Sequence, residues 1–143
     1  MASFEEIRKV GVIGAGTMGR GIVMNFVNAG YPVTWLDVNG EMLETGLTDI
    51  ASVYKRSVAQ ERFDEAEAQA RLSRITTTQN YADLHDMDLV VEAVYENMDL
   101  KKKIFAELDK AVKASAILAT NTSYLDIDEI ASATDRKSQV LGL

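Results

Sequence analysis

The stretch Val10-Gly-Val-Ile-Gly-Ala-Gly-Thr-Met-Gly19 decides how the rest of the chain is read. Its first four residues form a short apolar run rich in β-branched side chains, the pattern of a buried strand. Gly14, Gly16 and Gly19 follow at the spacing Gly-x-Gly-x-x-Gly. Thr17 to Ala29 then read as an amphipathic helix, with Met18, Ile22 and Phe26 on one stripe and Gly30 placed to end it. A glycine-rich turn alone means little. Between a strand and a helix each glycine has a use. Gly14 makes the tight turn, Gly16 leaves the backbone open to a diphosphate, and Gly19 lets the helix pack close to the strand. The helix start at Thr17 and Met18 offers unpaired N–H groups and a partial positive charge to that diphosphate.

Asp37 ends the next strand, Pro32 to Leu36, 18 residues after Gly19. A carboxylate there can accept both hydroxyls of an adenosine ribose and repels a 2′-phosphate. Val38-Asn39-Gly40 brings no arginine or lysine to neutralise such a phosphate. The expected cofactor is therefore NAD rather than NADP. The competing reading of Asp37 is a strand-end turn former or helix cap. FAD and S-adenosylmethionine proteins also pair a glycine turn with a later acid, so the second half of the chain must decide.

Outward from this unit, strands and helices alternate. A long helix is expected from Glu41 to Arg62, with Leu43, Leu47 and Ile50 spaced for burial, then a short one from the capping box Asp64-Glu-Ala-Glu67 to about Leu72. Arg74 to Thr77 and Asp88 to Val94 read as strands. Asn97 caps a helix with the stripe Leu100, Ile104, Leu108 and Val112. Ala116 to Thr120 is another buried strand. Asp126 to Glu129 is a second capping box, stapled by Leu125 and Ile130, and Val140 to Leu143 begins a last strand. This alternation predicts an α/β fold, a Rossmann-type doubly wound parallel sheet covered on both faces.

The chain has 143 residues, enough for one domain and too few for two. We expect residues 1–143 to be a single dinucleotide-binding domain. Its apolar end, without a polar tail, predicts a domain cut from a longer protein. The net charge of −7 disfavours nucleic acid and anionic membrane as partners. With no cysteine and one histidine, no cysteine-ligated or multi-histidine metal site is expected. The first ten residues lack the apolar core of a signal peptide, and no run reaches the ~18 apolar residues of a membrane span, so a cytoplasmic setting is expected.

Two further segments lie where a doubly wound sheet binds ligands, beyond the carboxyl ends of its strands. Val90-Val-Glu-Ala-Val-Tyr-Glu96-Asn97 ends the fourth strand, and Ala119-Thr-Asn121-Thr-Ser123 ends the fifth. Ala93, Val94, Glu96 and Asn121 thereby join the cofactor candidates, facing the nicotinamide half. Taken with Gly-Val-Ile-Gly-Ala-Gly-Thr-Met-Gly and Asp37, these strings make the chain resemble the NAD-binding domain of the L-3-hydroxyacyl-CoA dehydrogenase family. The resemblance spans nearly the whole chain. It implies oxidation of an L-3-hydroxyacyl-CoA to the 3-oxoacyl-CoA in β-oxidation, with NAD+ taking the hydride from C3. It implies that Ser123 hydrogen-bonds the reacting oxygen and that Glu96 and Lys101 lie along the cofactor. It also implies an acyl-CoA substrate and a homo-oligomer.

The residues alone leave alternatives open. Ser123 reads equally as a loop serine bonded to its own backbone, and Glu96-Asn97 as a helix-cap pair. Lys101-Lys-Lys103 is most simply a solvated helix face, as are Lys55 and Arg56. The family's general base is a histidine in a His-Phe-Phe-like motif just past a strand like Val140-Leu-Gly-Leu143. The one histidine here, His85, is expected at the surface. An inactive NAD-binding module and another β-hydroxyacid dehydrogenase are the competing functions. Tyr54-Lys-Arg and Asn121-Thr-Ser-Tyr-Leu-Asp resemble dehydrogenase modules fused to enoyl-CoA hydratases more than the short monofunctional enzymes.

Overall fold

The structure is a computed structural model that describes residues 7–122 and 125–143. Six strands form one sheet: β1 (Val10–Ile13), β2 (Val33–Leu36), β3 (Ile75–Thr78), β4 (Leu89–Glu92), β5 (Ile117–Thr120) and β6 (Val140–Gly142). Every pairing is parallel, in the order β3-β2-β1-β4-β5-β6. The order reverses between β1 and β4. A crevice must open there, because the chain leaves β1 toward one side of the sheet and β4 toward the other.

Two apolar layers seal the sheet. On one face α1 (Thr17–Asn28), α2 (Gly40–Ala59) and α3 (Glu65–Ser73) pack around Val12, Trp35 and Val91. On the other α4 (Met98–Ala111) and α5 (Ile127–Ala131) pack around Ile13, Val90 and Leu118. The alternation of faces along β1, β4 and β5 explains why these strands are apolar throughout: both sides are covered. Short 3-10 turns at Tyr81–Leu84 and Lys137–Gln139 lead into β4 and β6.

The caps read from the sequence at Asp64, Asn97 and Asp126 are in place, and Asn39 adds one that the sequence reading did not name. Asn39, Asp64, Asn97 and Asp126 accept first-turn N–H groups of α2, α3, α4 and α5. The glutamates of the two capping boxes go elsewhere: Glu67 pairs with Arg71 at 2.9 Å and Glu129 with Lys102 at 3.8 Å. The helix from Glu41 ends at Ala59 rather than Arg62, because Glu61 turns left-handed at φ 59°.

One expectation is corrected by a single residue. The buried line of α1 is Gly19, Val23 and Val27, not Met18, Ile22 and Phe26. Met18 is 59% exposed. The cause is Gly19, whose added Cβ would lie 1.8 Å from the Gly14 carbonyl oxygen. The helix is seated on that carbonyl, so its fourfold ladder starts at Gly19. Ile22 and Phe26 pack along the margin of the same core.

Candidate functional site: the carboxyl edge of the sheet

A cleft of about 820 Å³ opens at the carboxyl ends of β1, β2 and β4. Gly14, Ala15 and Gly16 form its floor, Asp37 to Asn39 one wall, and Ala93 to Tyr95 the other. Each glycine of the turn can now be assigned a cause. Gly14 sits at φ +109°, and a Cβ there would meet the Ala93 carbonyl oxygen at 2.8 Å. Its own carbonyl accepts the Trp35 indole N–H at 2.8 Å. Gly14 and Gly19 are therefore demanded by the protein's own packing.

Gly16 is different. A Cβ added there would meet nothing within 4 Å, and its φ of −77° suits any residue. No protein atom requires a glycine at this position. The space beside it opens on the cleft, where a ligand can approach the backbone. Gly16 is also the N-cap of α1, which has no side-chain cap and no acid in its first turn. The other four α-helices are capped by Asn or Asp. The start of α1 thus keeps free N–H groups and its positive dipole end beside an open cradle, which fits a dinucleotide diphosphate. Thr17 and Met18 lie exposed at this helix start.

Asp37 lies half-buried in the wall. Its Oδ2 accepts the Ala15 N–H and its Oδ1 the Asn39 N–H, both at 2.8 Å. The turn-forming reading of Asp37 is therefore correct. It does not displace the ribose reading, since each carboxylate oxygen retains a lone pair. Two of the loops that frame the cleft are tied together by this one carboxylate. Farther along, Tyr81, Lys103 and Glu107 also line the cleft. Burial pushes the Tyr81 phenol above its ordinary pKa, and the carboxylates of Glu107, Asp37 and Glu92 add to the shift. Its hydroxyl stays protonated as a donor at neutral pH.

Glu96, Lys101 and Asn121 form a second cluster on the same edge, outside the cleft lining. Lys101 is not a solvated lysine: its side chain is 0% exposed. It falls on the buried face of α4 with Ile104, Phe105 and Leu108. Its Nζ donates to both carboxylate oxygens of Glu92, at 2.8 and 2.7 Å, and lies 3.8 Å from Glu96. Glu92 is itself wholly buried. The Glu96 carboxylate accepts the Thr122 hydroxyl at 2.6 Å, and the same hydroxyl oxygen accepts the Leu125 N–H at 3.1 Å. Asn97 caps α4 through the Leu100 N–H, so Glu96 and Asn97 have separate tasks. Ser123 lies outside the described residues, but both flanks of its loop are held by these bonds.

The sequence reading missed Glu92, Thr120 and Thr122. A signal existed for the first. A glutamate closing an otherwise apolar buried strand needs a buried partner, and Lys101 precedes Ile104 and Phe105 by three and four residues, which places it on their face. His85 is exposed and its carbonyl accepts the Lys113 N–H at the opposite edge of the sheet. Lys55 and Arg56 are exposed on α2.

A parallel doubly wound sheet with a glycine turn at its switch point and an acid at the end of the neighbouring strand defines a Rossmann-type dinucleotide-binding domain. Residues 9–143 match the family described as the 3-hydroxyacyl-CoA dehydrogenase, NAD binding domain. The chain belongs to that family, whose cofactor is NAD. It is 43% identical over 141 residues to the peroxisomal bifunctional enzyme of Homo sapiens, covering 99% of this chain and 19% of that protein. It is 41% identical to the 3-hydroxybutyryl-CoA dehydrogenase of Clostridioides difficile, covering 94% of this chain and 48% of that protein. Among solved structures, the (S)-3-hydroxybutyryl-CoA dehydrogenase PaaH1 of Ralstonia eutropha superposes with a TM-score of 0.92 at 37% identity, over 96% of this chain and 48% of that one. The chain thus spans about half the length of the dehydrogenases it matches and about a fifth of the bifunctional enzyme.

Proposed function

We propose that this chain supplies the cofactor half of an L-3-hydroxyacyl-CoA dehydrogenase, in which a hydride passes between NAD and C3 of a 3-hydroxyacyl-CoA in β-oxidation. The observation that carries the reading is Gly16: a glycine that no protein atom requires, at the uncapped start of α1, between Asp37 and Ala93. In this reading Gly14, Gly16, Thr17, Met18 and Gly19 hold the diphosphate. Asp37 accepts the adenosine ribose hydroxyls. Ala93 and Val94 support the ring system on the far wall, with Glu96, Lys101 and Asn121 shaping the end beyond β4 and β5. Bound NAD would supply the hydride acceptor. The Ser123 hydroxyl would orient the substrate's C3 oxygen, since a neutral donor–acceptor suits both the alcohol and the ketone.

Domain 1–143, the acyl-CoA substrate, a homo-oligomeric assembly and a cytoplasmic setting belong to the same proposal. Among the described residues no helix is long and apolar enough to cross a membrane. The one imidazole in the chain, His85, stands at the edge away from the cleft, so the 143 residues alone hold no positioned base of the kind worth ~10²–10⁴-fold. We therefore expect the chain to bind NADH and to turn over acetoacetyl-CoA with NADH negligibly. Titration calorimetry with NADH and NADPH tests the reading. Asp37 and Glu107 face any 2′-phosphate with Lys103 as the one basic lining residue, so NADPH should bind at least ~10-fold more weakly. Equal affinity for the two would overturn the assignment.

A further inference from the structure

Glu92 closes β4 with its side chain wholly buried, where an otherwise apolar strand meets the crevice. Its carboxylate accepts four hydrogen bonds. Lys101 Nζ reaches Oε1 at 2.8 Å and Oε2 at 2.7 Å, the Val94 N–H reaches Oε2 at 2.7 Å, and the Thr120 hydroxyl reaches Oε1 at 2.5 Å. That fills its acceptor capacity. The third N–H of Lys101 Nζ is shared between two carbonyls, those of Val94 at 3.2 Å and Asn121 at 3.3 Å. One ion pair therefore grips backbone on both the β4–α4 loop and the β5–α5 loop. Asn121 is held twice, since its own N–H donates to the Glu92 carbonyl at 2.9 Å.

Stability is a poor reason for such a pair. Well-packed apolar residues of similar volume usually do as well, because two charges must be stripped of water. What the pair fixes is geometry: the distance and register between two loops that no strand pairing joins beyond Glu92 and Thr120. The β5–α5 loop leaves β5 through Asn121 and Thr122. In a dinucleotide lying across the switch point, the adenosine half falls toward β2 and the other half toward β4 and β5.

We propose that Glu92 is a positioning residue that acts through Lys101 and Thr120. It sets the β5–α5 loop against the β4–α4 loop, so that the surface for the nicotinamide half is formed before the cofactor arrives. The inference rests on the NAD-binding reading. Glu92 and Lys101 have no exposed surface, so they shape the site without touching the ligand. The adenosine half depends on Gly16 and Asp37, which the pair does not contact.

The test separates the two halves. The 143-residue chain is titrated with NADH and with ADP-ribose, which lacks the nicotinamide, as wild type, Glu92→Gln and Thr120→Val. Glu92→Gln keeps the shape and removes the charge that holds Lys101. It should weaken NADH about tenfold and ADP-ribose by no more than about twofold, the loss of roughly one charge-assisted hydrogen bond felt at one end of the ligand. Thr120→Val removes only the β5 hydroxyl and should give a loss of about threefold, again confined to NADH. It remains informative if Glu92→Gln fails to fold. Equal weakening of both ligands would mean a merely structural role and would overturn the proposal, as would no weakening, or wild-type chain that binds NADH no better than ADP-ribose. A wild type that binds neither ligand would sink the NAD-binding reading itself, along with what rests on it.

Discussion

The two ends of the sheet use charge in opposite ways. At the amino edge several charges meet partners in or near solvent. Asp88 accepts the N–H groups of Arg8 and Lys9 at 2.8 and 2.9 Å and the Lys113 ammonium at 2.5 Å. Lys9 pairs with Asp86 at 2.6 Å, and Arg136 caps the end of α4 while bonded to Asp109 at 2.6 Å. At the carboxyl edge the Glu92–Lys101 pair is buried, Asp37 keeps spare lone pairs, and α1 starts without a side-chain cap. The difference separates an edge that closes the fold from an edge that holds hydrogen-bonding capacity in reserve. The chain carries a charge of −7, yet the unspent donors of the carboxyl edge are backbone N–H groups, which net charge does not report.

The strongest way to break this contrast is within the glycine turn. Gly19→Ala puts a methyl carbon where the Gly14 carbonyl oxygen lies 1.8 Å away. The seat of α1 should be lost at a cost of about 3 kcal/mol or more, read as a large drop in the thermal midpoint. Gly16→Ala should do the reverse. The fold has room for its methyl, so the midpoint should stay within about 1 kcal/mol of wild type while NADH affinity falls by roughly tenfold or more. If both variants lost stability equally, Gly16 would be a packing residue and the reserve at this edge would be an illusion.

A smaller effect sharpens the other side. Burial alone would raise the Asp88 pKa, but the Lys113 ammonium and the N–H groups of Arg8 and Lys9 outweigh it and hold the carboxyl at about 2, below its ordinary 3.8. The folded value is the lower one, so this acid stabilises the fold above about pH 4, and the contribution drains away as pH falls from about 4 toward 2. Asp88→Asn should lower stability by about 1 kcal/mol at pH 7, given its solvent screening, and flatten that acid limb in urea melts taken at several pH values. NADH affinity should not change. Smallest of all, Lys9→Met removes an exposed pair and should leave both the melt and the binding curve where they were.

Much of the fold was legible because periodicity reports burial. The apolar runs at Val10, Leu89 and Ile117 could only be strands covered on both faces, and Asp64, Asn97 and Asp126 marked helix starts that the structure confirms. The glycine turn and the place of Asp37 were legible because glycine spacing and strand length together limit what can sit there. Lys101 was misjudged on its residues alone because a run of three lysines resembles a solvated face, although its first member shares the buried face of Ile104 and Phe105. The stripe of α1 slipped by one residue for a related reason. Met18, Ile22 and Phe26 are more apolar than Gly19, Val23 and Val27, and hydrophobicity does not reveal which line a backbone carbonyl will select.

The sequence by itself determined the order of elements, the parallel sheet, the glycine turn and the identity of the acid beside it, since all of these follow from contacts within a strand–turn–helix unit and the strand after it. The tertiary structure alone decided which glycine is left open for a ligand, that Asp37 ties two loops together, and that Glu92, Lys101 and Thr120 join the ends of β4 and β5. These last relations bring together residues up to 28 positions apart in the chain. Their physical basis is the desolvation of charge between packed elements, and burial of that kind exists only once the elements have come together.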